Sequence, residues 1–330
     1  MARERYIDIV KGLSILSITF LHYEQGVLPQ SVNVFIGSFM ITAFYVTSGW
    51  VSAMNTTQLA LKDLIKKRWK QLGVPYLWWT AIILLFDFIL LGFGYYDTYF
   101  IEREIYKTIT LRGIGTLWFL PALFGGELIW HGLKKRPLGL ILLALAFTLC
   151  YQYVYGHISG GRTETLYRII DAPFRTLCNM LNAWVGIAFG YGTYRIFSQA
   201  MRTTSKLRLA LLGVTFCVFA FVTANYLPHW LSPFWGWLAP LWGPLGWLFL
   251  AKSVQHWKIL NFFNYWGVHS LNLMVTHYSI ILVLFTLVVE NGLHQSFTGW
   301  RTILCFVLSM PIQYGLVHLL SRYASFTLGK

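Results

Sequence analysis

Asp8, Lys11, His22, Asp87, Glu127, His269, His277 and His318 all stand inside otherwise apolar stretches of this chain. By insertion scales, an ionisable group at the centre of a bilayer costs about 2.5–3.5 kcal/mol, so each marks a candidate site until a partner accounts for it. Lys11 and His22 are the most informative pair. Their spacing returns them to within about 20° of one helix face and sets them about 16 Å apart along its axis. An ammonium is a point charge suited to phosphate, and an imidazole can take a proton near neutral pH. The stripe therefore suits a long substrate with a phosphate-bearing end in the cytoplasm and a reactive end inside the membrane. The plainer reading has Lys11 snorkelling to the interface beside Asp8, with His22 an interfacial residue.

His277 lies in the stretch Tyr265 to Tyr278. Entering from the inside, it reaches a depth of about 18 Å, comparable with that of His22. Two imidazoles at one depth can meet, although a histidine in a helix bundle is otherwise a hydrogen-bonded packing residue. Glu127 requires a cation such as Lys11 or a proton of its own. Asp8 and Glu127 are read as members of structural ion pairs, and Asp87 as structural too. Leu227 to Trp247 interleaves Pro228, Pro233, Pro240 and Pro244 with Trp230, Trp235, Trp237, Trp242 and Trp247. That pattern fits an interfacial aromatic belt, or a broken helix beside a site for a sugar ring or acyl chain.

The elements that carry these residues must be membrane helices. Charged residues make up 12% of the chain and hydrophobic ones 56%, against about 25% charged in soluble domains. So few charges cannot cover a water-facing surface. Apolar runs predict an all-α integral membrane protein of about ten transmembrane helices, at roughly 7–23, 33–54, 74–94, 114–132, 137–156, 177–198, 207–226, 233–252, 265–289 and 301–321. Asp87 apart, the segment Ala81 to Leu91 is apolar on every face, as is Ile280 to Val289 save Thr286, which excludes the alternating pattern of a membrane barrel. With the N-terminus inside, 19 of the 26 Lys and Arg fall in cytoplasmic segments, and ten spans place both termini in the cytoplasm. The basic residues flank spans, where insertion and anionic lipid explain them, so the net charge of +14 does not indicate nucleic acid. Cys150, Cys178, Cys217 and Cys305 lack metal-ligand spacing, and no metal is expected. The first span carries Asp8 and Lys11 and has no small-residue cleavage site, so it reads as retained. A single domain over residues 1–330 is expected.

Five fragments then resemble the acyltransferase-3 family of bacterial membrane acyltransferases. Lys11, ten residues and His22 are similar to the family's basic-x(10)-His pattern, with Lys where many members carry Arg. Phe44-Tyr45-Val46-Thr47-Ser48-Gly49-Trp50 is similar to its aromatic Ser-Gly motif. Lys66-Lys67-Arg68-Trp69-Lys70 with Pro75-Tyr76 resembles its basic stretch and Pro-Tyr, although Gln71 stands where a paired Arg-x-x-Arg has its second arginine. Leu117-Trp118-Phe119-Leu120 and Ser270-Leu271 to His277 resemble two further elements. The resemblance implies transfer of an acyl group, usually acetyl from acetyl-CoA as co-substrate, to a hydroxyl of a sugar or cell-surface polysaccharide such as an exopolysaccharide. It implies His22 as catalytic base, Lys11 and Arg68 as acyl-CoA-binding residues, and Tyr45, Ser48, Trp118 and His277 as substrate-orienting. It further implies the bacterial inner membrane, no permanently bound cofactor, and polysaccharide-synthesis proteins as partners. No extracellular SGNH-type domain is expected on this chain. The competing class is a transporter or flippase for a sugar or polyprenyl-linked saccharide, because buried charges and broken spans also line substrate pathways.

Overall fold

The computed structural model describes residues 4–55, 59–133, 138–139, 142, 165–227 and 239–330. All regular structure among them is helical. The helices are α1 (Arg5–Tyr23), α2 (Gln30–Met54), α3 (Leu61–Arg68), α4 (Val74–Gly92), α5 (Thr98–Ile109), α6 (Phe119–Leu133), α7 (Thr165–Phe197), α8 (Ala200–Thr203), α9 (Lys206–Tyr226), α10 (Ala239–Val254), α11 (Asn261–Val268), α12 (Ser270–Thr276), α13 (Val283–Leu287) and α14 (Trp300–Tyr323). Among the described residues, five helical stretches are long and apolar enough to cross a membrane: Gln30–Met54, Leu61–Gly92, Lys206–Tyr226, Ser270–Gly292 and Trp300–Tyr323. They coincide with five of the ten expected spans.

The other expected spans depart from a plain apolar helix for visible reasons. α1 carries Arg5, Asp8 and Lys11. The stretch 114–132 opens with a tight 3-10 turn at Gly115–Trp118, which leaves 15 residues to α6. The stretch 177–198 lies within the 33-residue α7, where Asn179 and Asn182 dilute the apolar sequence. α10 has 16 residues. The expected span at 137–156 lies almost wholly outside the described residues, as do Cys150, Pro228, Trp230, Pro233, Trp235 and Trp237.

The chain divides into two compact units. The first comprises 1–58, 186–277 and 281–317, and the second 59–185, 278–280 and 318–330. In the first unit, α1 crosses α11 backbone to backbone. A Cβ on Gly12 would fall on the Phe263 carbonyl, and one on Gly267 would fall on the carbonyl of Asp8. Small residues let membrane helices approach this closely where water supplies no driving force. α2 crosses α7 in the same manner, Gly49 against the Ile187 carbonyl and Gly190 against that of Val46. Tyr6 on α1 accepts from Trp50 Nε1 on α2 at 2.8 Å. α9 and α10 lie together through Trp242, whose ring stacks on Phe216 at 5.4 Å.

The second unit gathers α3 to α6 and the first part of α7. Pro75 sits at the start of α4, where its missing N–H costs nothing. Asp97 caps α5 by accepting from Phe100 N at 2.7 Å. Tyr76 on α4 donates to the Thr108 carbonyl on α5 at 3.0 Å, and Thr176 on α7 donates to that of Thr110 at 3.0 Å.

Candidate active site

α1 is one unbroken helix from Arg5 to Tyr23, so Lys11 and His22 share a stripe as their spacing requires. Lys11 is half-buried near its N-terminal end, and Asp8 is buried one turn earlier. At the other end, His22 Nδ1 meets His277 Nε2 at 2.9 Å. The ring centroids are 5.1 Å apart and the planes are inclined by 22°. His277 is 0% exposed. Its Nδ1 faces the Leu273 carbonyl, one helical turn earlier, at 2.7 Å.

The helix changes character at His277. α12 ends at Thr276, and a π-helical turn runs from His277 to Leu282. Such turns insert one residue into a helix and re-aim the side chains that follow, and they recur at functional sites. Thr276 is fixed as well, its hydroxyl lying 2.6 Å from Gln313 Oε1 on α14. Tyr23, the neighbour of His22, is fully buried with Val289 and Cys305 and is packed by Leu282, Phe285, Phe297 and Phe306. The pair of imidazoles thus stands beside a wall of apolar side chains within the first unit.

The same unit holds Tyr45 and Ser48. Tyr45 is buried, with its Cβ against Gly186, while Ser48 is half-buried. Gly49 of the Ser-Gly motif serves the crossing of α2 with α7. Arg68, Trp118 and Glu127 belong to the second unit. Arg68 Nε forms an ion pair with Glu127 on α6, and its Nη1 donates to Gln71 Oε1 at 2.7 Å. Arg68 is thereby the partner that Glu127 needs. It sits where α3 gives way to a π-helical turn over Trp69–Gly73. Trp118 is half-buried at the end of the 3-10 turn that leads into α6. Asp87 and Glu104 are both buried, and Glu104 is paired with Lys107 at 2.6 Å.

Glu24 was missed by motif reading. It is buried immediately after α1 and accepts from Val27 N at 2.6 Å, Leu28 N at 2.8 Å and Asn33 Nδ2 at 2.8 Å. The Leu28 amide first, then those of Val27 and the Asn33 side chain, hold its carboxyl below the usual carboxylate range. The one signal in the sequence is a carboxylate two residues after the span histidine, before a Gly-containing loop.

A family profile described as an acyltransferase domain matches residues 4–318. Comparison with curated proteins and with solved structures gives no match.

Proposed function

The chain belongs to the acyltransferase-3 family and is a multi-pass membrane acyltransferase acting on a hydroxyl, and from that premise we propose that it moves an acetyl group from acetyl-CoA to a hydroxyl of a cell-surface sugar or polysaccharide. The observation that carries the reading is the pairing of His22 with His277 at 2.9 Å, at the far end of the helix that bears Lys11. His22 is the general base. It takes the proton of the acceptor hydroxyl as that oxygen attacks the thioester carbonyl; the new C–O bond forms, the C–S bond breaks, and the proton passes from the imidazolium to the departing CoA thiolate. General-base assistance of this kind is worth about 10²- to 10⁴-fold in rate.

Lys11 and Arg68 neutralise phosphates of the donor. Lys11 does so as a point charge, and Arg68 through the part of its guanidinium not engaged by Glu127 and Gln71. Tyr45, Ser48 and Trp118 orient the substrates. The catalytic steps named here need no metal and no resident cofactor. The enzyme resides in the bacterial inner membrane, crosses it about ten times with both termini in the cytoplasm, and works alongside polysaccharide-synthesis proteins that supply its acceptor.

The test is transfer of radiolabelled acetyl from acetyl-CoA into alkali-labile ester on total surface polysaccharide, by membranes matched for wild type and His22→Ala. Label that depends on His22 supports the proposal. Full transfer by a correctly inserted His22→Ala protein would refute the mechanism. If neither protein transfers label from any of several acyl donors, the donor and acceptor assignments fall.

A further inference from the structure

The two imidazoles differ in what surrounds them, and that difference fixes where their protons are. A carbonyl oxygen can only accept, so the 2.7 Å contact between His277 Nδ1 and the Leu273 oxygen requires the hydrogen of neutral His277 on Nδ1. Its Nε2 then carries the lone pair. That lone pair faces His22 Nδ1 at 2.9 Å, so His22 must hold its own hydrogen on Nδ1, and its lone pair lies on Nε2. A histidine's tautomer is set by the bond that its other ring nitrogen makes.

We infer that His277 is a positioning residue for the acyl transfer: through this chain from the Leu273 carbonyl it locks His22 in the Nδ1–H tautomer and makes Nε2 the nitrogen that takes the acceptor's proton. The inference rests on the acyltransfer reading of His22 and gives His277 a role through His22 in place of contact with the substrate. Three features support it. His277 is 0% exposed, as a group that orients another residue should be. The packing of Tyr23 on α1 against Leu282 and Phe285 and the backbone contact of Gly12 with Phe263 hold its helix against α1 on both sides of the pair. When Nε2 of His22 takes a proton, the ring becomes an imidazolium whose Nδ1–H still points at the lone pair of His277. The new charge is then shared by two rings over one hydrogen bond, and the proton returns from His22 Nε2 to the leaving thiolate with none left over.

The experiment compares His277→Leu, which removes the acceptor, with His277→Gln, whose amide oxygen can still accept from His22 Nδ1–H. Both are measured against wild type and His22→Ala by label transfer from acetyl-CoA to surface polysaccharide, in membranes with matched amounts of inserted protein. Loss of the correct tautomer costs about 10²- to 10⁴-fold in kcat in comparable systems. The leucine variant should fall into that range with the KM for acetyl-CoA unchanged, and the glutamine variant should recover at least tenfold of the loss. A rise in KM with kcat unchanged would place His277 on the substrate and overturn the inference, as would equal damage in the two variants or no damage in either. If the leucine variant fails to accumulate, the glutamine variant decides alone: an active enzyme supports the inference, and one as impaired as His22→Ala overturns it. Wild-type transfer indifferent to His277 removes only this inference, whereas wild-type transfer indifferent to His22 removes the reading beneath it.

Discussion

At the scale of single residues, the last turn of α1 brings His22 to His277 at 2.9 Å and leads directly to Glu24, whose carboxylate holds the loop that follows. His22 was legible because an imidazole in an apolar run demands an explanation, and a helical rise of 1.5 Å per residue placed His277 at a matching depth. Which nitrogens would meet was not legible, since that depends on the turn at His277–Leu282, and no local residue type announces a π turn. Glu24 was illegible for another reason: it stands past the apolar run, where a carboxylate is expected to face water. In the structure it gathers three N–H donors instead, and it ties the loop after His22 to the start of α2. Its carboxyl titrates below the unfolded value of 4.5. A depressed folded pKa contributes stability that is full above that value and is lost as pH falls through the folded pKa. Glu24→Gln should therefore melt below wild type at pH 7, and the gap should narrow as the pH is taken down from 4.5 through the depressed pKa, measured as thermal unfolding in detergent. An identical gap at both pH values would mean that the negative charge does not matter.

At the scale of elements, apolar run length found the helices that lipid dictates, and it could not foresee how pairs of them touch. The α1–α11 crossing depends on Gly12 and Gly267, which in sequence are two glycines among 28. Gly12→Ala drives a methyl into the Phe263 carbonyl and should lower stability by about 1–3 kcal/mol, the range for overpacking, with the His22–His277 contact disturbed and activity falling with it. Gly92→Ala, at the end of α4 with nothing within 4 Å, should leave the melting temperature and activity at wild-type values; comparable damage there would mean that close approach is not the cause at Gly12. The ion pair of Arg68 with Glu127 joins α3 to α6, and under the proposed role of Arg68 in donor binding Glu127 competes with phosphate for the same guanidinium. Glu127→Gln should lower the KM for acetyl-CoA and Arg68→Gln should raise it, each by about two- to fivefold, since a part-exposed ion pair is worth roughly 0.2–1 kcal/mol. Shifts of the same sign in both variants would show that the pair acts only as a brace.

At the scale of the whole molecule, charge asymmetry carries information that helix packing does not. The structure divides into two compact units between which the chain passes repeatedly; a polytopic chain can change units inside a helix, as α7 does between Val185 and Gly186, so no linker marks the division. Sidedness is a separate matter. Nineteen of 26 basic residues fall on one side only if every expected span crosses, and the parity beyond residue 156 hangs on the stretch 137–156. If that stretch crosses, Lys206 at the start of α9 lies in the cytoplasm with Lys66; if it does not, Lys206 faces outward with Glu102. Single cysteines introduced at Lys66, Glu102 and Lys206, probed with a membrane-impermeant maleimide before and after permeabilisation and corrected for labelling of the unaltered protein, separate the two arrangements. Glu102 should label in intact cells, and Lys66 and Lys206 only once the membrane is opened. Labelling of Lys206 in intact cells would remove the span at 137–156, turn the basic residues at Arg195, Arg202, Lys206 and Arg208 outward against the insertion rule, and put the C-terminal half of the first unit, His277 included, in the opposite orientation to α1. Since α1 and α11–α12 touch at Gly12 with Phe263 and again at His22 with His277, they run in the same direction, and only an odd number of crossings between them allows that, as the seven expected spans between them do.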